Sequence, residues 1–155
     1  MTKFVKKSEI LKAQEKWKKG IIDIGNKYIN NLNYEERAIE HIKELYAYGV
    51  TDVLFKPTKV SKIQFRSTFE EALSYFVASN SVCLEDKGFA LEPWIDVRFE
   101  NSNILIQKNT ALAMGNYFFT NSDSKVSKVE YTFGYIKMNE KILINLHHSS
   151  IPYQA

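Results

Sequence analysis

The chain has a single cysteine, Cys83, so no intrachain disulfide can staple it and nothing in it calls for an oxidising compartment. It also lacks any apolar run approaching the ~20 residues that span a bilayer. Its first residues, MTKFVKKSEILKAQEKW, have no apolar core of the kind a signal peptide carries. A cytoplasmic protein is therefore expected. No CxxC, HExxH, Walker A, GxGxxG or GxSxG pattern occurs, so the common zinc, nucleotide and nucleophile-elbow chemistries have no motif here. A catalytic zinc site takes about three protein ligands. The softer candidates are His41, His147, His148 and Cys83, and adjacent His147 and His148 turn to opposite faces of a strand. No cofactor is expected on this ground, with manganese or zinc left open. Excess charge is small: the net charge is +3 and the pI near 8.8. The one lysine cluster, Lys3 to Lys19, is interspersed with glutamates on a helical pattern and reads as a solvated face, so neither nucleic acid nor membrane is expected as a partner. Glu85, Asp86, Glu92 and Asp96 are candidate paired carboxylates, but they lie in or near a polar loop and read as solvated.

What the chain does have is apolar and aromatic substance. Hydrophobic residues make up 45% and aromatics 14% of its 155 residues, enough for a sizeable core in one domain spanning 1–155. No internal repeat, low-complexity segment or linker is visible. The first half reads helical. Ile10, Trp17, Ile21, Ile24 and Tyr28 recur at helical steps after a candidate N-cap at Ser8. Gly20 and Gly25 weaken that helix but suit a close contact with another element. A second helix is expected from about Tyr34 to Tyr48, with Ile39, Ile42, Leu45 and Tyr46 as its stripe and Gly49 as its C-cap. His41 lies beside that stripe and reads as a helix-surface histidine. After a short apolar segment, Val53 to Phe55, Pro57 breaks the chain. A third helix follows, opened by a capping box of Ser67 with Glu70 or Thr68 with Glu71. Tyr75 lies on its apolar face, with a hydroxyl that needs a partner.

From Trp94 the pattern turns extended. Strands are expected at Trp94 to Glu100, Ile104 to Gln107 with Ala111 to Phe119, Val129 to Tyr135, and Lys141 onward. Turns are expected at Asn101 to Asn103, Asn121 to Ser124 and Asn139–Glu140. Helices first and a four-stranded antiparallel meander after them argue an α+β fold, with helices packed on one face of a curled sheet.

The last strand, KILINLHHSSIPY, carries the most chemistry. Ile142, Ile144 and Leu146 alternate, and the same count places His148 and Ser150 on their face, with His147 and Ser149 on the other. A strand that leads an imidazole and a hydroxyl out of an apolar face is one way to build a small polar pocket. The other reading is polar residues fraying at a sheet edge. The remaining candidate chemistry is hydroxyl and imidazole: Thr58, Tyr75, Tyr131, Tyr135 and this strand end. Tyr131 and Tyr135 alternate with Phe133 and also suit an aromatic core or dimer surface.

The segments LFKPTKV, QFRSTFEEALSYF, EDKGFALEPW, VRFEN, AMGNYFF, VEYTFGY and LHHSSIPY occur in that order. Together they resemble the iota class of carbonic anhydrases, within the association-domain branch of the NTF2-like superfamily, over roughly Tyr48 to Tyr153. The resemblance implies a cone-shaped fold in which a curled antiparallel sheet wraps helices around a pocket, and subunits paired as homodimers through their sheets. It implies reversible hydration of carbon dioxide to bicarbonate, metal-independent in several members and manganese-dependent in others. It also implies a bicarbonate site of one threonine, one tyrosine, one histidine and one serine. By motif these are Thr58, Tyr75 and two residues from His147 to Ser150. Strand alternation favours His148 and Ser150; a β-bulge would substitute His147 and Ser149. A non-enzymatic oligomerisation or small-ligand-binding module of the same superfamily is the rival expectation, and a metal-dependent enzyme a third.

Overall fold

A computed structural model describes residues 4–155; Lys3, the first of the basic cluster, lies outside them. The first helix, α1, is Lys7–Ile29. It starts one residue ahead of the expected cap: Lys6 is extended, and its N–H is accepted by the Glu9 carboxylate at 2.9 Å. Ile10, Trp17, Ile21 and Ile24 are buried as their spacing requires, while Tyr28 stays exposed. The two glycines of α1 mark close approaches. A Cβ on Gly20 would stand 2.0 Å from His41 Nδ1, and one on Gly25 would stand 2.8 Å from the Ala90 carbonyl. Into the first of these gaps comes α2, Tyr34–Leu45, capped by the Asn33 side chain accepting from Glu36 N–H.

Two expectations about α2 are corrected. It ends at Leu45, where Tyr46 turns extended and bridges to Ile144, and Gly49 (φ +83°) serves the turn beyond. His41 is no surface histidine. It is 1% exposed, because the missing side chain at Gly20 lets it sink against α1 beside the rings of Trp17 and Phe76.

The strands are β1 Leu54–Lys56, β2 Trp94–Gln107, β3 Thr110–Asn121, β4 Val126–Met138 and β5 Lys141–Ser150. They form one five-stranded sheet in the order β1-β5-β4-β3-β2. The antiparallel meander is present as β2 to β5, and β1 adds to it by pairing parallel with β5. Asn101 to Asn103 is a register shift inside a continuous β2 rather than a turn. The β2–β3 turn falls at Lys108–Asn109, where Lys108 takes φ +53°. Such bulges bend a strand and raise its twist, which helps a long sheet curl. Its inner face presents Val97, Ala113, Phe119, Val129 and Phe133 to the helices, forming the core.

The third helix, α3 Phe69–Val77, opens with the Thr68–Glu71 capping box. The loops on either side of it are tied together. Arg66 is fully buried and donates to both carboxylate oxygens of Asp86, at 2.6 and 2.8 Å. Glu85 accepts backbone N–H groups of Ser61, Lys62 and Ile63, and these bonds hold its carboxyl below the usual carboxylate range. The expected solvated loop thus has two structural carboxylates, because a buried guanidinium and a run of free amides stand opposite them.

Candidate active site

The register of β5 decides which end residues face inward. Tyr135 pairs with Ile144, but its neighbour Gly134 pairs with Leu146, so Asn145 is an extra residue on β5. Cross-strand partners share a face. Beyond this bulge, His147 stands opposite Phe133 and Ser149 opposite Tyr131, both of them inward-facing. His147 is 2% and Ser149 1% exposed. His148 and Ser150 are turned to the outer face of the sheet, where Ser150 Oγ donates to Glu130. The inward-facing pair is therefore His147 and Ser149; the His148 and Ser150 that plain alternation selects line a hollow on the outer face with Met114 and Glu130.

Inside, a line of hydrogen bonds joins five elements. Trp17 Nε1–H of α1 donates to Tyr46 Oη at 3.0 Å, and Tyr46 Oη lies 2.8 Å from His147 Nδ1. On the other side of the imidazole, Tyr117 Oη of β3 is 3.1 Å from His147 Nε2 and 2.6 Å from Ser149 Oγ. Ser149 Oγ is in turn 2.6 Å from Thr58 Oγ1, in the loop after β1. Beside Thr58, the Lys59 amide donates to Tyr75 Oη of α3 at 3.2 Å. Each member arrives by local geometry. Pro57 ends β1 and exposes Thr58, Glu85 pins the following amides, and the α3 face that buries Phe76 also carries Tyr75.

The imidazole of His147 is sandwiched between Phe55, 4.7 Å away and 10° from parallel, and Phe133, 4.1 Å away. This apolar stacking penalises a charged ring, so burial pushes the pKa of His147 well below the usual histidine value. Burial likewise pushes the Tyr75 and Tyr117 phenols up, against the hydroxyl and amide donors that favour their phenolates. At neutral pH the cluster is uncharged: one imidazole and five hydroxyls. Tyr75 and Lys59 also line a cavity of about 480 Å³ with Asp86, Lys87, Phe89 and Leu91, so the cluster adjoins an opening at Tyr75.

Thr58, Tyr75, His147 and Ser149 are thus brought together. Tyr131 is buried, but its hydroxyl goes to Asn101, and Tyr135 is buried with its ring against Phe133; both serve the aromatic interior. Tyr117, Tyr46 and Trp17 belong to the cluster and were not singled out from the sequence. The alternation of Tyr117 with Phe119 carried a signal for one of them; the others read as helix stripe. Among the described residues, no group of three or more His, Cys, Asp and Glu side chains is placed to hold a metal ion, and no helix is long and apolar enough to cross a membrane.

A family model described as metal-independent carbonic anhydrase matches residues 8–151. A protein of Nostoc sp. named metal-independent carbonic anhydrase is 38% identical over 154 residues, covering 97% of this chain and 75% of its own length. Among solved structures, a cyanobacterial iota-carbonic anhydrase complexed with bicarbonate superposes with a TM-score of 0.96 at 36% identity, covering 100% of this chain and 97% of that one. An NTF2-like protein of unknown function from Shewanella oneidensis aligns over 92% of this chain and 97% of its own, with a TM-score of 0.58 at 14% identity, a likeness of fold alone. The architecture is NTF2-like: helices packed into a curled sheet.

Proposed function

The chain belongs to the metal-independent carbonic anhydrase family, and from that premise we propose that Thr58, Tyr75, His147 and Ser149 form its bicarbonate site. Its reaction is the reversible hydration of carbon dioxide to bicarbonate. The observation that carries the site assignment is the meeting of the Thr58 and Ser149 hydroxyls, 2.6 Å apart, beside a Tyr75 that also lines the cavity.

Hydration joins a water oxygen to carbon and moves negative charge onto the oxygens of carbon dioxide, while one proton leaves to solvent. With no Lewis acid in the scheme, that charge must meet preorganised donors. Thr58 and Tyr75 supply them: Tyr75 Oη accepts the Lys59 amide and keeps its own proton for a ligand. Ser149 holds Thr58 in place, and His147 holds Ser149 through Tyr117. The buried, uncharged character of the cluster strengthens such hydrogen bonds to an anion.

We extend the reading to a single domain of the iota class over 1–155, working without manganese or zinc in the cytoplasm; a lone Cys83 needs no oxidising compartment. The outer face of the sheet suits a homodimer. Leu105, Leu112 and Leu146 form one row across it, with Gly134 leaving room between the last two. Stopped-flow hydration of carbon dioxide by chelator-treated protein, with metal content checked by elemental analysis, tests the function. Activity in metal-free protein supports it, as does its loss in Thr58→Ala and Tyr75→Phe variants that stay folded. Hydration at the buffer rate under every condition would return the chain to a binding module, and activity that appears only with added metal would overturn the metal-free scheme.

A further inference from the structure

We propose that Tyr46, capped by Trp17, is a positioning residue that fixes His147 as the neutral Nε2–H tautomer and so makes Thr58 a hydrogen-bond donor to the substrate. The proposal rests on the reading of Thr58 as a bicarbonate contact. It follows from counting protons along the buried line. The indole of Trp17 can only donate, so Tyr46 Oη accepts there. Tyr46 must then place its own proton, and among the described residues its other partner is His147 Nδ1, 2.8 Å away. Nδ1 is therefore the acceptor, and the ring proton sits on Nε2.

From Nε2 the same count runs outward. Nε2–H donates to Tyr117 Oη, so the Tyr117 proton goes to Ser149 Oγ. The Ser149 proton goes to Thr58 Oγ1, and the Thr58 proton then points to the open side, where Tyr75 Oη and a bound substrate oxygen are its acceptors. Six groups point one way because the innermost one is donor-only. Reversing the line would give Tyr46 two incoming N–H groups and a buried hydroxyl proton with nowhere to go, the more expensive arrangement. Hydrogen bonds aligned in this way polarise one another, so the last hydroxyl is a better donor than an isolated one.

The same count removes His147 as the proton acceptor of the reaction. Its one lone pair is already taken by Tyr46, and Phe55 and Phe133 close both ring faces. The histidine relays orientation rather than protons, and the released proton leaves by solvent at the cavity side.

The test is a long-range nitrogen–proton correlation spectrum of histidine-labelled protein, assigned through the backbone, beside carbon dioxide hydration kinetics. The wild-type ring of His147 should be neutral, protonated at Nε2, with Nδ1 shifted by an incoming hydrogen bond. Tyr46→Phe should move the Nδ1 resonance to the position of a free lone pair and lower kcat about 5- to 10-fold with KM changed less than about two-fold. A role in packing alone would leave the Nδ1 resonance unmoved. An N–H at Nδ1 or an imidazolium in the wild-type protein would overturn the proposal, as would a Tyr46→Phe variant with full kcat. The wild-type spectrum decides the tautomer without any variant or activity, so a protein that hydrates no carbon dioxide would refute the site reading separately.

Discussion

Substituting Ser149 and Ser150 one at a time separates an inward from an outward reading of the β5 end. Ser149→Ala removes an oxygen that lies 2.6 Å from both Tyr117 Oη and Thr58 Oγ1. Tyr117 is fully buried, so its proton loses its acceptor with no water to replace it. An unpaired buried hydroxyl costs about 1–3 kcal/mol of stability. Thr58 loses the donor that orients it, and losing one preorganised donor of this type costs on the order of 10² in kcat. Ser150→Ala removes a bond to Glu130 on the outer face, where substitutions stay within about 0.5 kcal/mol. Stopped-flow hydration gives the kcat ratio, and urea unfolding of the same samples gives the stability difference. Ser149→Ala should be destabilised and about 100-fold slower, with Ser150→Ala close to wild type in both. A Ser150→Ala protein that loses activity while Ser149→Ala keeps it would refute the register argument and the site built on it.

Three further outcomes follow from the geometry. Burial pushes the pKa of His41 down to about 3, so below the unfolded value of about 6.5 the unfolded chain binds the extra proton, and the stability His41 carries at pH 7 is lost as pH falls. By pH 5 this amounts to about 2 kcal/mol from His41 alone, with His147 acting in the same direction; unfolding curves at pH 7.5 and 5 measure it, and His41→Leu should shrink the difference. Asp86→Asn leaves the guanidinium of a fully buried Arg66 with only Glu85, 4.0 Å away, as counter-charge and should cost about 3 kcal/mol in chemical unfolding; a loss under about 1 kcal/mol would show that the pair does not staple the loops around α3. Leu112→Lys places a charge in the apolar row of the outer face and should convert the proposed homodimer to monomer in sedimentation, with the far-ultraviolet spectrum unchanged; a wild-type protein that sediments as a monomer would refute the dimer.

Much of the candidate site is legible because its residues sit in short ordered motifs. Thr58 in FKPTK and Tyr75 in LSYF stand out without the fold, and the structure brings them near one another. What stayed hidden were relations across long separations. The Asn145 bulge could not be read from β5 itself, since Ile142, Ile144 and Leu146 alternate without a break; it exists only against β4, where Gly134 leaves space opposite Leu146. One extra residue reverses every side chain after it, so plain counting picks the histidine that faces outward. His41 looked solvated because the space that receives it was made at Gly20, on another helix. Asp86 looked solvated because its partner Arg66 lies on the far side of α3.

Trp17 and Tyr46 illustrate the deeper limit. In the sequence each reads as a core aromatic on a helical stripe, although Tyr46 lies just past the end of α2, and burial alone accounts for both. Their chemical part depends on polarity, on which atom gives a proton and which takes it, and that quantity belongs to the whole line from Trp17 to Thr58 rather than to any motif. A site without a metal has to obtain its field from oriented hydroxyls. Orientation requires a fixed end, and an indole N–H buried behind a tyrosine is an end that cannot turn round.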